Sequence, residues 1–153
     1  MRIFLAGIMQ GSFREMKLHS QDYRSYFRDL LEANLPGVDV FDPFEGHTDS
    51  IRYTDETGKK VFLGHNYLCR EMDVILAFVP EASMGTAIEM WEGNQNGAVV
   101  VTVSPLNRNW AVKFLSDRIY ATVEELEKDV RSGEFQRFVE ERRKIHQNSS
   151  HPH

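Results

Sequence analysis

The sequence predicts an α/β fold, a doubly wound sheet of five parallel strands with helices on both faces. Short apolar runs recur along the chain, polar stretches with helical spacing separate them, and two of the runs, DVILAFV and AVVVTV, are hydrophobic without alternation. A strand with one wet face alternates apolar with polar residues, whereas a strand covered by helices on both faces is continuously apolar. Strands that take turns with helices imply right-handed crossovers between parallel neighbours.

The strands are expected at 3–6, 38–41, 74–79 and 98–103, with a weaker fifth at 117–121. Between the first two, Tyr23, Phe27, Leu30 and Leu31 fall at helical spacing, with Ser20 as N-cap and Pro36-Gly37 as the stop. Further helices are expected at 61–72 and 86–95, and another with Trp110 and Phe114 turned into the core. Near the C-terminus Thr122 and Glu125 have capping-box spacing, and GEFQRFVEERRKI carries the last of five helices. The polar end HQNSSHPH is expected to fray, so the chain reads as one domain over 1–145 with a tail at 146–153.

At 153 residues there is material for one core. The 41% hydrophobic content is enough for a globule, and 18 basic against 23 acidic residues lack the basic footprint of a protein that binds polymeric nucleic acid. A small anionic ligand is compatible with that balance. Cys69 is the single cysteine, which excludes an intramolecular disulfide framework and multi-cysteine metal sites and favours a reducing, cytoplasmic setting. No apolar run reaches the roughly 18 residues needed to span a bilayer, and MRIFLAG is too short for a secretory signal. No His/Asp/Glu cluster calls for a metal, and no motif calls for a cofactor.

In an open parallel sheet, ligands sit beyond the carboxyl ends of the strands. After the first strand comes AGIMQGSFRE, where Gly7 and Gly11 permit close backbone approach and Gln10, Ser12 and Arg14 offer polar groups. A plain tight turn explains the same residues. After the third strand comes PEASMGTAIEMWEG, in which Gly85 and Thr86 open a helix and Glu89 projects from its first turns. Free amides at a helix start favour an anion, while an acid there is also an ordinary dipole partner, a description that suits Glu92 better. After the fourth strand comes SPLNRNWAVKFLSD, where Asn107 and Asn109 are N-cap candidates. The irregular stretch 42–64 is the expected ligand-covering loop.

DVILAFVPEASMGTAIEMW resembles the core signature of the nucleoside 2-deoxyribosyltransferase family, a hydrophobic strand opened by Asp and followed by a G-T/S-x-x-E turn and helix. IFLAG and VFDPFEG resemble that family's first strand with its glycine turn and its second strand with its loop. The resemblance implies a flavodoxin-like sheet, a homodimer or higher oligomer with composite sites, and cleavage of the N-glycosidic bond of a nucleoside or nucleoside 5′-monophosphate. The family's nucleophilic glutamate matches Glu89. A carboxylate beneath the sugar stabilises positive charge at C1′ and can bond to it, while the departing base needs a proton.

Three departures from the family's pattern stand out. Its general-acid aspartate, eight residues before the aspartate that opens the third strand (here Asp73), is replaced by His65, with Asn66 beside it. A histidine can give a proton to the base at neutral pH and is as readily a structural residue. The family's first-strand tyrosine is absent, with Phe4 in its neighbourhood, and the first-loop arginine of its nucleotide-hydrolysing members aligns with Gln10. Ser83, where base-exchanging members carry an acid, resembles the members that hydrolyse 5′-monophosphates, since a hydroxyl can donate to a phosphate dianion and a carboxylate repels it. Serine is equally an N-cap. Asn109 is the candidate for reaching a neighbouring subunit's site. The expectation is N-glycosidic cleavage with hydrolysis ahead of transfer; the alternative is a non-catalytic nucleotide-binding or sensor module on the same fold.

Overall fold

The computed structural model describes residues 1–9 and 20–149. Its elements run β1 (Arg2–Gly7), α1 (Asp22–Asn34), β2 (Asp39–Phe41), a 3-10 turn (Ser50–Arg52), α2 (Asp55–Cys69), β3 (Val74–Phe78), α3 (Met84–Gln95), β4 (Val99–Val103), α4 (Trp110–Leu115), β5 (Arg118–Tyr120), α5 (Val123–Ser132) and α6 (Glu134–Ser149). The five strands form one parallel sheet in the order β2-β1-β3-β4-β5. This is the flavodoxin-like order, in which the chain changes direction of travel between β1 and β3 and opens a crevice there.

Side chains alternate between the two faces of the sheet, and both faces are dry. Ile3, Leu5, Leu76 and Val101 pack with Phe27 and Leu31 of α1, Leu126 of α5 and Phe135 of α6. Phe4, Ala6, Ile75 and Val100 pack with Cys69 of α2, Met90 of α3 and Val112 of α4. The unbroken apolar runs of β3 and β4 follow from this double cover.

Several boundaries differ from the expected ones. Helix α1 starts at Asp22 with Gln21 as its N-cap, because the Ser20 hydroxyl is engaged by the Asp22 side chain at 2.8 Å. Helix α2 begins at Asp55, ahead of the expected residue 61, since the Thr54 hydroxyl accepts from the Thr57 amide at 3.3 Å. Helix α3 begins at Met84, one turn position after its cap Ser83.

Trp110 and Phe114 are 77% and 63% exposed, not in the core, because the short α4 turns Val112 inward and these two rings outward. The C-terminal stretch forms two helices, divided at Gly133 with φ +79°, a left-handed C-cap that glycine adopts without strain. The last helix continues past residue 145 into the expected tail. The His146 ring lies 3.2 Å from the Gly97 carbonyl and 3.1 Å from the buried Asp117 carboxylate, and Arg142 meets the same carboxylate at 2.6 Å.

Helix α3 lies unusually close to the sheet. A Cβ on Gly93 would sit 2.3 Å from Ile75 Cγ1, inside a fully buried part of β3. Gly93→Ala must therefore push α3 off the sheet. It should cost about 1–3 kcal/mol of stability in thermal or urea unfolding, and an unchanged midpoint would contradict the close packing.

Candidate active site

Strand β1 ends at Gly7, which pairs with Phe78 at the end of β3, so both strands open on the crevice at the switch point. A Cβ on Gly7 would lie 2.0 Å from the Tyr23 hydroxyl, so only glycine lets α1 lay this ring across the strand end. The Tyr23 hydroxyl is buried without a hydrogen-bond partner among the described residues. Its burial, opposed by Arg24 and reinforced by the charges of Glu89 and Asp42, pushes the phenol well above its ordinary range.

Next to it, Arg24 is 1% exposed, which is rare for a guanidinium and requires a full set of acceptors. It donates to the Leu5 carbonyl at 2.9 Å, the Gly7 carbonyl at 3.1 Å, the Asp42 carboxylate at 3.0 Å and the Gln21 side chain at 2.6 Å. One side chain thus ties the end of β1 to α1 and to the residue following β2.

Glu89, within the second turn of α3, is 7% exposed. Removal from water raises its carboxyl to about 8, with the Arg24 cation working against the shift. The carboxyl lines a cavity of about 590 Å³. The helix start forms the same wall: Ser83 caps α3, accepting from the Thr86 amide at 3.3 Å and the Thr86 hydroxyl at 2.9 Å, which leaves its own O–H free to donate.

The stretch after β2 and helix α2 line the same cavity. His65 meets Phe4, Phe41 and His47 edge to face, with ring centroids 6.5, 5.9 and 5.3 Å away. Burial lowers the His65 pKa, His47 and Arg24 add to the effect, and Asp42 opposes it. The His47 Nδ1 lies 2.7 Å from the Tyr53 hydroxyl.

Of the residues singled out in the sequence, Gly7, His65, Ser83, Gly85, Thr86 and Glu89 line this one cavity. Asn66 is buried on α2 and is not among the lining residues. Asn109 caps α4, accepting from the Ala111 and Val112 amides, and lines an adjoining cavity of about 510 Å³ on the other side of Ser83 and Met84. Gln10 and Gly11 lie outside the described residues. Sequence reasoning did not single out Tyr23, Arg24, Asp42, His47 or Tyr53; Tyr23 carried a signal in its helical spacing, and Asp42, His47 and Tyr53 fell within the expected ligand-covering stretch 42–64 without being named. Among the described residues no group of three His, Cys, Asp or Glu side chains is arranged to hold a metal. No described helix is long and apolar enough to cross a membrane.

No protein-family model and no characterised protein sequence matches the chain. Among solved structures it is similar to a 2-deoxyribosyltransferase from Bacillus psychrosaccharolyticus, at 20% identity and TM-score 0.62, over 83% of this chain and 90% of that one. It is also similar to a conserved protein from Enterococcus faecalis V583, at 18% identity and TM-score 0.58, over 86% and 97% of the two chains. A third similar structure is the CMP N-glycosidase BcmB from Clostridium botulinum, at 20% identity and TM-score 0.49, over 85% and 98%. The fold is shared with the transferase. The shared architecture brings the Glu89 helix to the same end of the sheet at which parallel α/β proteins bind ligands.

The Glu89 carboxyl makes stability depend on pH. Its pKa is about 8 when folded against 4.5 unprotected, so between these values the folded chain holds a proton that the unfolded chain has released. Stability therefore falls as pH rises from about 4.5 to 8, and stays lowered above that. Glu89→Gln should stabilise the protein, with the advantage over the parent growing from pH 5 to pH 9 to roughly 3–5 kcal/mol in denaturant unfolding. An advantage that does not vary with pH would contradict the desolvated carboxyl.

Proposed function

We propose that this chain belongs with the nucleoside 2-deoxyribosyltransferase family and cleaves the N-glycosidic bond of a nucleoside or nucleoside 5′-monophosphate. Hydrolysis is favoured over transfer to a second base. The observation that carries the reading is the desolvated Glu89 carboxyl, aimed from the opening turns of α3 into a nucleoside-sized cavity at the switch point of the sheet. In this reading the sugar lies over Glu89 with C1′ at its oxygen, and the carboxyl gives its proton to water before the C–N bond breaks, so that the carboxylate faces the positive charge developing on the sugar. Carboxylate and C1′ form a glycosyl ester as the C–N bond breaks, and water then releases the sugar.

The 5′ end belongs at the start of α3. The Ser83 hydroxyl can donate there, and the Met84 and Gly85 amides have no acceptor among the described residues, an arrangement suited to a phosphate. No acid stands at position 83 to repel a dianion. The base then falls against His65 and its aromatic neighbours, where a flat ring is well accommodated and the imidazole can supply the leaving group's proton.

The reading includes a homodimer or higher oligomer in a cytoplasmic setting. Met84, Ile88 and Trp91 on α3 and Trp110 and Phe114 on α4 leave an apolar face exposed next to the cavity, which suits a second copy, and the buried lone Cys69 suits a reducing compartment.

The test is chromatographic detection of free base after incubation with a panel of nucleosides and 5′-monophosphates, with and without a second base. Base release is expected to be greatest from 5′-monophosphates and not to require a second base. Glu89→Ala should reduce it by at least 10³-fold while the far-ultraviolet circular dichroism stays unchanged. Tight nucleotide binding without base release would favour the binding-module alternative, and turnover retained by Glu89→Ala would remove Glu89 from the mechanism.

A further inference from the structure

Burial, reinforced by His47 and Arg24 and opposed by Asp42, lowers the His65 pKa, which weakens its hold on a second proton. A second imidazole, from a part of the chain with no helical or strand periodicity, faces the same cavity. His47 sits in the loop between β2 and α2, its ring centroid 5.3 Å from that of His65 at 72°. Its Nδ1 is fixed by the Tyr53 hydroxyl at 2.7 Å, and the two rings of this pair meet edge to face at 5.8 Å. Because Tyr53 occupies Nδ1, Nε2 is the ring nitrogen left for a ligand.

His47, Tyr53, His65 and Glu89 are the titratable side chains that line the cavity among the described residues. The charged groups closest in effect on this cluster are Arg24 from α1, Asp42 from the end of β2 and Glu89 from α3. With the sugar over Glu89 and its 5′ end at the start of α3, as in the glycosidic reading, His47, Tyr53 and His65 are the remaining titratable lining for the part of a bound nucleoside that leaves. A histidine anchored through one nitrogen with the other free toward substrate is the arrangement of a positioned general acid.

We propose that His47, oriented by the Tyr53 hydroxyl, is a further catalytic residue that protonates the departing base. The proposal rests on the glycosidic reading of the cavity and adds a second proton donor beside His65. In the first step the C1′–N bond breaks with its electron pair passing to the base. The base takes the Nε2 proton of the protonated His47 ring, leaving the neutral imidazole, and an oxygen of the Glu89 carboxylate bonds to C1′. In the second step water adds to C1′, Glu89 departs as carboxylate, and the proton lost by water returns to the imidazole. Tyr53 acts through His47 and is a positioning residue.

The experiment compares leaving groups. Wild type, His47→Gln, Tyr53→Phe and Glu89→Gln are assayed on the best nucleotide of the panel and on p-nitrophenyl β-D-ribofuranoside with its 5-phosphate, whose leaving group departs without a proton. His47→Gln should lose about 10²–10⁴-fold on the nucleotide and less than about 5-fold on the nitrophenyl substrate. Tyr53→Phe should show the same asymmetry at about 5–20-fold, and imidazole added to His47→Ala should restore part of the nucleotide turnover.

Equal losses on both substrates would make His47 structural and overturn the proposal, as would full nucleotide turnover in His47→Gln. A wild type that cleaves nucleotides but not the nitrophenyl ribosides also counts against it, since a better leaving group would then bring no gain. Failure of the underlying reading looks different: wild type releases no base at all, or Glu89→Gln keeps its activity on both substrates.

Discussion

A carboxyl group held out of water at the carboxyl edge of a parallel sheet is the constraint on which the rest of this structure depends. Isolating an ionisable group in this way costs stability, and the surrounding chain is arranged to bear that cost. Gly93 lets α3 lie against β3, which brings Glu89 over the strand ends. Arg24 supplies the nearby cation while its hydrogen bonds are spent on Leu5, Gly7, Asp42 and Gln21, so its charge acts on Glu89 through space and no ion pair between them neutralises the carboxyl. The result is an acid poised near neutrality, which is where a group that must change its charge during a reaction is useful.

The same end of the sheet collects the other unusual features. Tyr23 brings a buried hydroxyl without a partner among the described residues, and Gly7, lacking a Cβ, makes room for it. The Ser83 hydroxyl closes the α3 cap and still has a proton to give. By contrast, the amino edge is stitched with satisfied pairs: Asp117 receives Arg142, the His146 ring and the Val100 amide. Polar groups with all their bonds made hold a fold together, while polar groups with bonds left over are where ligands are received.

Much of the architecture was legible because it rests on local pattern. DVILAFV and AVVVTV announce strands covered on both faces, and the five strands and their parallel order follow from the way helical spacing interrupts them. Glu89 and Ser83 were legible because a cap, a glycine and an acid fall within one helical turn or two. What stayed hidden depends on contacts between distant segments. The sequence around Arg24 does not say that a guanidinium on a helix will be only 1% exposed, since three of its four acceptors lie 17 to 19 residues away. His47 and Tyr53 belong to an irregular loop, where spacing carries no information about which way a ring turns. Trp110 and Phe114 misled for the opposite reason, because large rings belong in cores by default and here they stand on the outer side of a helix too short to bury them.

The central claim is that Glu89 bonds to the sugar, and mass spectrometry of the trapped protein tests it most directly. A 2′-fluoro-substituted nucleotide slows release of the sugar by withdrawing electrons from C1′, so a glycosyl ester should accumulate. After acid quench and proteolysis, the account predicts the added sugar mass on the peptide containing Glu89 and on no other. Steady release of base with an unmodified Glu89 peptide, or an adduct on a different residue, would contradict it.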